Sequence, residues 1–517
     1  MSMNQAEAIV RFSHVSMQFP GVLANDDVSL DVRRGEVFAL VGENGAGKTT
    51  LMNLLYGLQK PTLGEIWIRG HKTGPRHDPQ RAMALGVGMV HQHFKLVPSF
   101  TVAQNIFLGR EPRRHGVLYD QARGEADVRA LGERFGLPVE PGDVVGELSV
   151  GLQQRVEILK ALHRGAEVLI LDEPTAVLTP QETDELFTVI RRIVADEGMT
   201  GILITHKLGE VMALSDRVGV MRRGRLLNVL PTAETDERAL AALMVGRDVL
   251  FDELREGAPG TEPVLCVQGL TARDDRGLPA LRGVDITVHA GEIVGVCGVE
   301  GNGQTELTEC IMGMRPQTGG QVTLNGRDIS NLDPRAIRAL GVSWIPEDRL
   351  RTGLSAAATV TENLLVGKQR RPEFSALGIH YRARNARRYA ASLAEAFDIR
   401  SGGLDLPAGS LSGGNMQKAI LAREFSFDTP VLVVSQPTRG VDIGAIEFIH
   451  EKILEKRSAG CAILLVSADL DELFRLSDRL VTLYEGRITG RFDAGTIDKQ
   501  GVGYYMTGGR QEEAAQA

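Results

Sequence analysis

The chain of 517 residues has four cysteines, at 266, 297, 310 and 461, and nowhere a Cys-x-x-Cys spacing. That excludes the usual zinc-site patterns and gives no disulfide framework, as expected in a reducing cytosol. No apolar run approaches the ~18 residues that a membrane-spanning helix needs. Residues Met1 to Val10 lack a basic start followed by an apolar core, so no signal peptide is expected. Any association with a membrane must then come through a partner. An excess of basic residues is also lacking: 58 Lys and Arg stand against 66 Asp and Glu, a formal net charge of -8 with a pI near 5.9. That balance argues against non-specific binding to a nucleic-acid backbone, and no nucleic-acid partner is expected. What is present, 43% hydrophobic and 24% charged residues, is the make-up of a soluble globular protein with more than one domain.

The sequence repeats itself. Arg34-Gly35-Glu36-Val37 is echoed by Ala290-Gly291-Glu292-Ile293, and Gly42-Glu43-Asn44-Gly45-Ala46-Gly47 by Gly298-Val299-Glu300-Gly301-Asn302-Gly303. Leu148-Ser149-Val150-Gly151 returns as Leu411-Ser412-Gly413-Gly414, Pro174-Thr175 as Pro437-Thr438, and Ser215-Asp216-Arg217 as Ser477-Asp478-Arg479. The order is kept and the offset drifts by only a few residues, so the halves are duplicates. They span residues 8–246 and 263–505, with a linker at 247–262 and a polar, Ala-rich tail at 506–517. Short apolar runs such as Val37–Val41 and Val168–Leu171 read as buried strands alternating with helical stretches. Each half is therefore expected to be α/β with a largely parallel sheet.

Gly42-x-x-x-x-Gly47-Lys48-Thr49 matches the P-loop pattern between a strand and an expected helix, Thr49 to Leu58. Glycines let backbone N–H groups turn inward around phosphates, and the helix N-terminus favours their charge. Lys48 supplies a point charge to the β- and γ-phosphates, and the Thr49 hydroxyl can ligate Mg²⁺; Thr50 follows inside the helix. Val168–Leu171 runs into Asp172-Glu173, which puts a carboxylate at the sheet edge beside this loop. Asp172 is the expected Mg²⁺ ligand, and Glu173 the residue that polarises the attacking water.

Two further motifs narrow the class. Leu148-Ser149-Val150-Gly151-Leu152-Gln153-Gln154 and Leu411-Ser412-Gly413-Gly414-Asn415-Met416-Gln417 resemble the signature of ATP-binding-cassette (ABC) ATPases. The resemblance implies two tandem ABC domains, each with a helical subdomain, binding ATP and Mg²⁺. It implies that Gln92, in Val90-His91-Gln92-His93, is a Q-loop residue contacting Mg²⁺ and the membrane subunit. His206 resembles the switch histidine that contacts the γ-phosphate, and Phe19 stands where such domains stack an aromatic ring on adenine. In this family two domains pair head to tail, and each nucleotide lies between the P-loop of one and the signature of the other.

The second half departs from the pattern where hydrolysis needs it. Lys48 corresponds to Gln304, Asp172-Glu173 to Ser435-Gln436, Gln92 to Glu347 and His206 to Ala468. The first signature has Val150 where the second has Gly413. Sorted by the family's pairing, the P-loop of residues 42–49 meets Ser412, Gly413 and Gly414, and every element is intact. The degenerate loop, with Gly298, Gly301, Gly303, Gln304 and Thr305, meets Ser149 and Gly151. One site is thus expected to hydrolyse and the other to be regulatory or structural. Thr179 stands where the second half has Asp442, so an aspartate usual after the catalytic carboxylates is missing from the first half.

Other fused ABC proteins fit less well. Translation factors usually keep both sites and carry a long helical linker, and DNA-repair members insert zinc modules. A regulatory ATPase without membrane partners is left open. The chain resembles the fused ATPases of ribose-type sugar importers, and within them those serving nucleosides through a basic-membrane-lipoprotein type of binding protein. Val90–Pro98, Gly298–Gln304, Ser435–Asp442 and Gly444–His450 carry that likeness. It implies two membrane-spanning permease subunits, a periplasmic or lipoprotein substrate-binding protein, and a peripheral position on the cytoplasmic face of the inner membrane. A monosaccharide is the alternative cargo.

Overall fold

The strand Val37–Gly42 is buried at every residue, and so are Val168–Asp172 and Thr200–Ile204. The computed structural model describes residues 8–20, 22–43, 45–91, 94–114, 118–175, 178–245, 259–299, 301–376, 380–441 and 443–509. It divides into two units, Met1–Val249 and Leu250–Ala517. In the first, the central sheet runs Arg225–Pro231, Arg217–Arg222, Val37–Gly42, Thr200–Ile204, Val168–Asp172, Val87–Val90. Only the Arg225–Pro231 edge is antiparallel. Strands covered on both faces read as unbroken apolar runs, which is why the sequence displays them.

A second sheet is antiparallel throughout and departs from the expected largely parallel layer: Val22–Arg33, Ala8–Phe19, Leu63–Ile68, His71–Lys72. Its strands alternate instead, with Val28, Leu30 and Val32 buried and Ser29, Asp31 and Arg33 exposed. Their register is broken by irregularities, which hides the period-2 signal.

The helix Lys48–Leu55 lies between the sheets and places Leu51, Met52, Leu54 and Leu55 among Phe12, Val28, Leu30, Ile66, Ile170 and Ile202. Each such side chain contributes roughly 1.5–3 kcal/mol relative to exposure, so the loop before this helix stands on a fixed base. The helix ends before the expected Leu58, because Gly57 takes φ 81° and the Leu58 N–H turns back to Asn53 O. Helices Val102–Phe107, Gln121–Phe135 and Val150–His163 form the helical part. Their Ile106, Val128, Val156 and Leu159 share a core with Leu169 and Leu171 of the central sheet.

The second unit repeats the plan. Its central sheet runs Val342–Ile345, Val431–Ser435, Ala462–Ser467, Ile293–Cys297, Arg479–Tyr484, Arg487–Asp493, and its antiparallel sheet Pro279–His289, Pro263–Arg273, Gln317–Leu324, Arg327–Asp328. Most of the expected linker and all but the start of the tail lie outside the described residues. Among the described residues no helix is long and apolar enough to cross a membrane.

Candidate active site

The loop between Gly42 and Lys48 is shaped by glycine. Gly42 has φ 157° and Gly47 φ 99°, and a Cβ on either would lie 2.3 Å from a carbonyl oxygen, of Met221 and Ala24 respectively. Ala46 is buried, Glu43 half-buried, and Gly45 and Thr49 are exposed, with Thr50 half-buried behind them. Lys48 is only 6% exposed, and its Nζ donates to the carbonyl oxygens of Gly42 at 2.6 Å and Glu43 at 3.1 Å. Burial pushes its ammonium below the ordinary range, opposed by the charges of Glu173, Asp172 and Glu43. A buried cation whose partners are loop carbonyls is prepared for an anion. Asn44 and Gln92 lie outside the described residues.

Parallel register brings the remaining groups to the same sheet edge. Ile204 pairs with Asp172, and the same strand pairs with Val37–Gly42 on its other side. The Glu173 N–H donates to Ile204 O at 2.9 Å, and His206 Nδ1 lies 2.9 Å from Glu173 Oε1. Glu173 holds φ 48°, a conformation costing a non-glycine residue about 1–3 kcal/mol. Burial and then the Glu173 charge push the Asp172 carboxyl up to about 6, against Lys48. Burial also acts on Glu173, but the hydrogen bond to His206 and the charges of His206, Lys48 and Lys207 outweigh it and hold Glu173 below the carboxylate range. Adjacent carboxyls are thus driven apart, one calling for a cation and one ready to accept a proton. The donors fit a hard divalent ion: Asp172 and the exposed Thr49 hydroxyl offer oxygen, and a cation would relieve the raised Asp172. Among the described residues no cluster of three or more His, Cys, Asp or Glu could hold a metal.

Some supports escaped sequence reading. Asn25 is fully buried and its Nδ2 donates to Gly47 O at 3.1 Å, fixing the loop to the antiparallel sheet. The buried Glu210 accepts from Thr205 Oγ1 at 2.8 Å and from Thr175 Oγ1, tying the segment after Glu173 to the one carrying His206. Nothing marks either residue in the sequence, since each depends on partners distant along the chain. Phe19 is half-buried at the end of its strand, outside the hydrophobic core. It pairs with Val22 of the strand whose Ala24 and Asn25 lie against Gly47.

Ser149 and Ser412 each cap the signature helix that follows, Val150–His163 and Gly413–Phe425, accepting from the N–H of Leu152 and Asn415. Both serines are exposed, Gly413 is exposed, and Gly151 and Gly414 are half-buried. Thr179 has taken up a structural duty where the aspartate is missing. It caps Pro180–Glu197 in a capping box with Glu182, and it is 1% exposed.

The second unit keeps the geometry and replaces the chemistry. Gln304 Nε2 donates to Val299 O at 2.9 Å, as Lys48 does to Glu43 O, while Gln304 Oε1 accepts from Asn302 N–H at 3.1 Å. Asn302, at the place of Ala46, accepts from Glu485 N–H at 2.8 Å through Oδ1 and so fastens the loop. Gly301 and Gly303 keep positive φ, a Cβ on Gly298 would strike the Gln304 amide, and Thr305 follows Gln304 into the helix Gln304–Ile311. Gln436 has φ 48°, the same as Glu173, and its Oε1 accepts from Ala468 N–H at 3.1 Å. Ser435 Oγ is buried without a hydrogen-bond partner. A neutral amide and a hydroxyl now occupy the places of a cation and an acid.

The ABC transporter family profile matches residues 25–176 and 281–439. The chain is 46% identical to the guanosine import ATP-binding protein of Bacillus subtilis, with 99% of each chain covered. It is 44% identical to a nucleoside import ATP-binding protein of Lactococcus lactis (98% and 99% covered) and 46% identical to a glucose import ATP-binding protein of Haloferax volcanii (97% and 96%). The solved structure of an archaeal ribosome recycling factor, in complex with a ribosomal stalk protein, shares the fold at TM-score 0.61 and 19% identity, over 93% of this chain and 90% of that one. With both family matches falling on strand–loop–helix units that end in the described carboxylates or their replacements, the chain belongs to the ABC transporter family as an ATP-binding, ATP-hydrolysing subunit with two tandem P-loop domains.

Proposed function

We propose that this subunit energises import of nucleosides and hydrolyses ATP at the first of its two sites only. The carrying observation is the set Lys48, Asp172, Glu173 and His206 in one unit against Gln304, Ser435, Gln436 and Ala468 in the other. Lys48 leaves its loop carbonyls for the β- and γ-phosphates. Glu173, kept ionised and oriented by His206, accepts a proton from the attacking water. Asp172, Thr49 and Gln92 would hold Mg²⁺, which supplies charge neutralisation at the phosphates when bound. By family resemblance, Ser412, Gly413 and Gly414 complete this working site, and Ser149 and Gly151 serve the degenerate one. ATP-driven closing and reopening would pass through the segments of Gln92 and Glu347 to two permease subunits. The subunit would then be peripheral, on the cytoplasmic face of the inner membrane, with a periplasmic or lipoprotein binding protein delivering the cargo.

Nucleoside cargo is favoured by the likeness in segments 90–98, 298–304 and 435–450 and by the guanosine and nucleoside importers among the relatives. The glucose import relative supports a monosaccharide as the second reading. The complete transporter, reconstituted in vesicles, should take up guanosine and related nucleosides, and Lys48→Ala should stop that uptake. Uptake of hexoses or pentoses without nucleosides would replace the first reading by the second.

A further inference from the structure

Past Glu347 the second unit carries an arginine that neither the P-loop chemistry nor the signature accounts for. Asp348 caps one wide turn, Arg349–Gly353, by accepting from the N–H groups of Leu350 and Arg351. The Arg349 guanidinium then reaches across to other motifs. Its Nε donates to Gln417 Oε1 at 2.9 Å, and its Nη1 lies 3.4 Å from Gly413 O and 3.5 Å from Gly440 O. Gly413 begins the signature helix, Gln417 stands one turn along it, and Gly440 closes the segment that starts at Gln436. An ion pair between Arg439 and Glu347 joins two of the same segments.

The first unit supplies an internal control. There Phe94 stands at the place of Arg349, Val150 at that of Gly413 and Gln154 at that of Gln417. The differences are physically linked. A Cβ on Gly413 would lie 3.1 Å from Arg349 Nη1, so a side chain there would push the guanidinium aside by a few tenths of an ångström. Where phenylalanine replaces arginine, valine is tolerated, and Gln154 Oε1 is left buried without a partner on a residue 1% exposed. In the second unit Arg349 satisfies the acceptor Gln417 Oε1 and Nε2 is the atom left unpaired, whereas Gln154 Nε2 donates to Pro174 O at 2.6 Å, so the guanidinium gives the same buried amide a different partner.

We propose that Arg349 is a positioning residue for hydrolysis: its guanidinium holds the turn Ser412–Gly413–Gly414 and couples that turn to movement of the segment around Glu347. The inference rests on the reading that this turn serves the nucleotide bound at Lys48. A planar fork suits the task because it fixes direction as well as distance. Whatever displaces residues 345–349 then shifts the signature serine as well.

The test is steady-state ATPase and ATP KM in the assembled transporter for Arg349→Ala, Arg349→Lys, Arg349→Phe, Gly413→Val and the double variant Arg349→Phe/Gly413→Val. Arg349→Ala should lower kcat about 10-fold, as expected of a displaced reacting contact, with KM changed less than about 3-fold. Arg349→Lys, which keeps charge without the fork, should recover only part of the rate. The double variant should be no slower than the slower of its single variants, since both remove one contact. A kcat for Arg349→Ala within about 2-fold of wild type, or single effects that multiply in the double variant, would overturn the proposal. Should Arg349→Ala fail to fold, Arg349→Lys and the double variant decide by the same criteria. Ser412→Arg separates the two readings. If it leaves turnover unchanged, the assignment of the turn is wrong; if it stops turnover while Arg349→Ala does not slow it, only the arginine proposal falls.

Discussion

The two phosphate loops of this chain show what a duplicated site keeps when its charged residues are replaced. Glu173 and Gln436 share the same strained φ of 48°, and each hangs by its N–H from the neighbouring strand, at Ile204 O and Val466 O. The strain therefore belongs to the turn and persists when the base is gone. Gln304 inherits the carbonyl partner of Lys48 at one position and adds a hydrogen bond of its own to Asn302. A neutral amide satisfies its loop from within, whereas a buried ammonium is satisfied best by a phosphate. The first loop is thus set up to bind charge and the second to hold its shape.

The largest effect should come from the base. Glu173→Gln retains the hydrogen-bonding shape and removes the proton acceptor, so ATP binding should persist while turnover falls ~10²–10⁴-fold. Turnover within about 3-fold of wild type would take Glu173 out of the mechanism. Next come the signatures, which probe whether the first loop works with the distant one. If the proposed pairing of the first loop with the second signature holds, Ser412→Arg should suppress hydrolysis by about 10-fold or more, because it would remove a donor to the γ-phosphate and add bulk. Ser149→Arg should cost less, and the reverse ranking would mean that each half uses its own signature. Gly151→Asp is a poorer control, since a Cβ there would lie 2.5 Å from Glu182 Oε1 and disturb the Thr179 capping box.

A smaller effect falls on stability alone. Thr179→Ala removes a helix cap and should cost the first unit about 1 kcal/mol, read as a lower melting temperature, whereas Thr179→Asp keeps a capping oxygen and should melt close to wild type. An unchanged melting temperature for Thr179→Ala would remove the capping explanation for the missing aspartate. The smallest effect is expected of Gln304→Lys. Restoring the lysine to a site with Ser435, Gln436 and Ala468 supplies charge without acid, base or histidine. Turnover should stay within about 2-fold of wild type, and a clear rise would show that lysine alone was what the second loop lacked.

Much of this was legible before the fold was known, for identifiable reasons. Val37–Gly42 and Val168–Asp172 announce themselves because strands buried on both faces are apolar throughout. Lys48, Asp172, Glu173, Ser149 and Ser412 stand in short local motifs whose spacing the sequence displays directly. The antiparallel sheet was missed because its alternation is interrupted by register shifts near Phe12, Val15 and Met17. Asn25, Glu210 and Arg349 were missed because each acts on a partner far along the chain, Gly47, Thr175 and Gln417 respectively. A duplicated sequence offers one remedy. Reading Phe94 with Val150 against Arg349 with Gly413 hints at the contact, although only the structure shows the guanidinium bridging them.

The central claim is that one of two similar loops does the hydrolysis, and the pair Lys48→Ala and Gln304→Ala tests it most directly. Both remove a side chain that donates to a loop carbonyl, and both stand at the first residue of their helix. Steady-state ATPase of the assembled transporter should be abolished by Lys48→Ala and should stay within about 2-fold of wild type for Gln304→Ala. Equal loss in both variants, or greater loss in Gln304→Ala, would contradict the account.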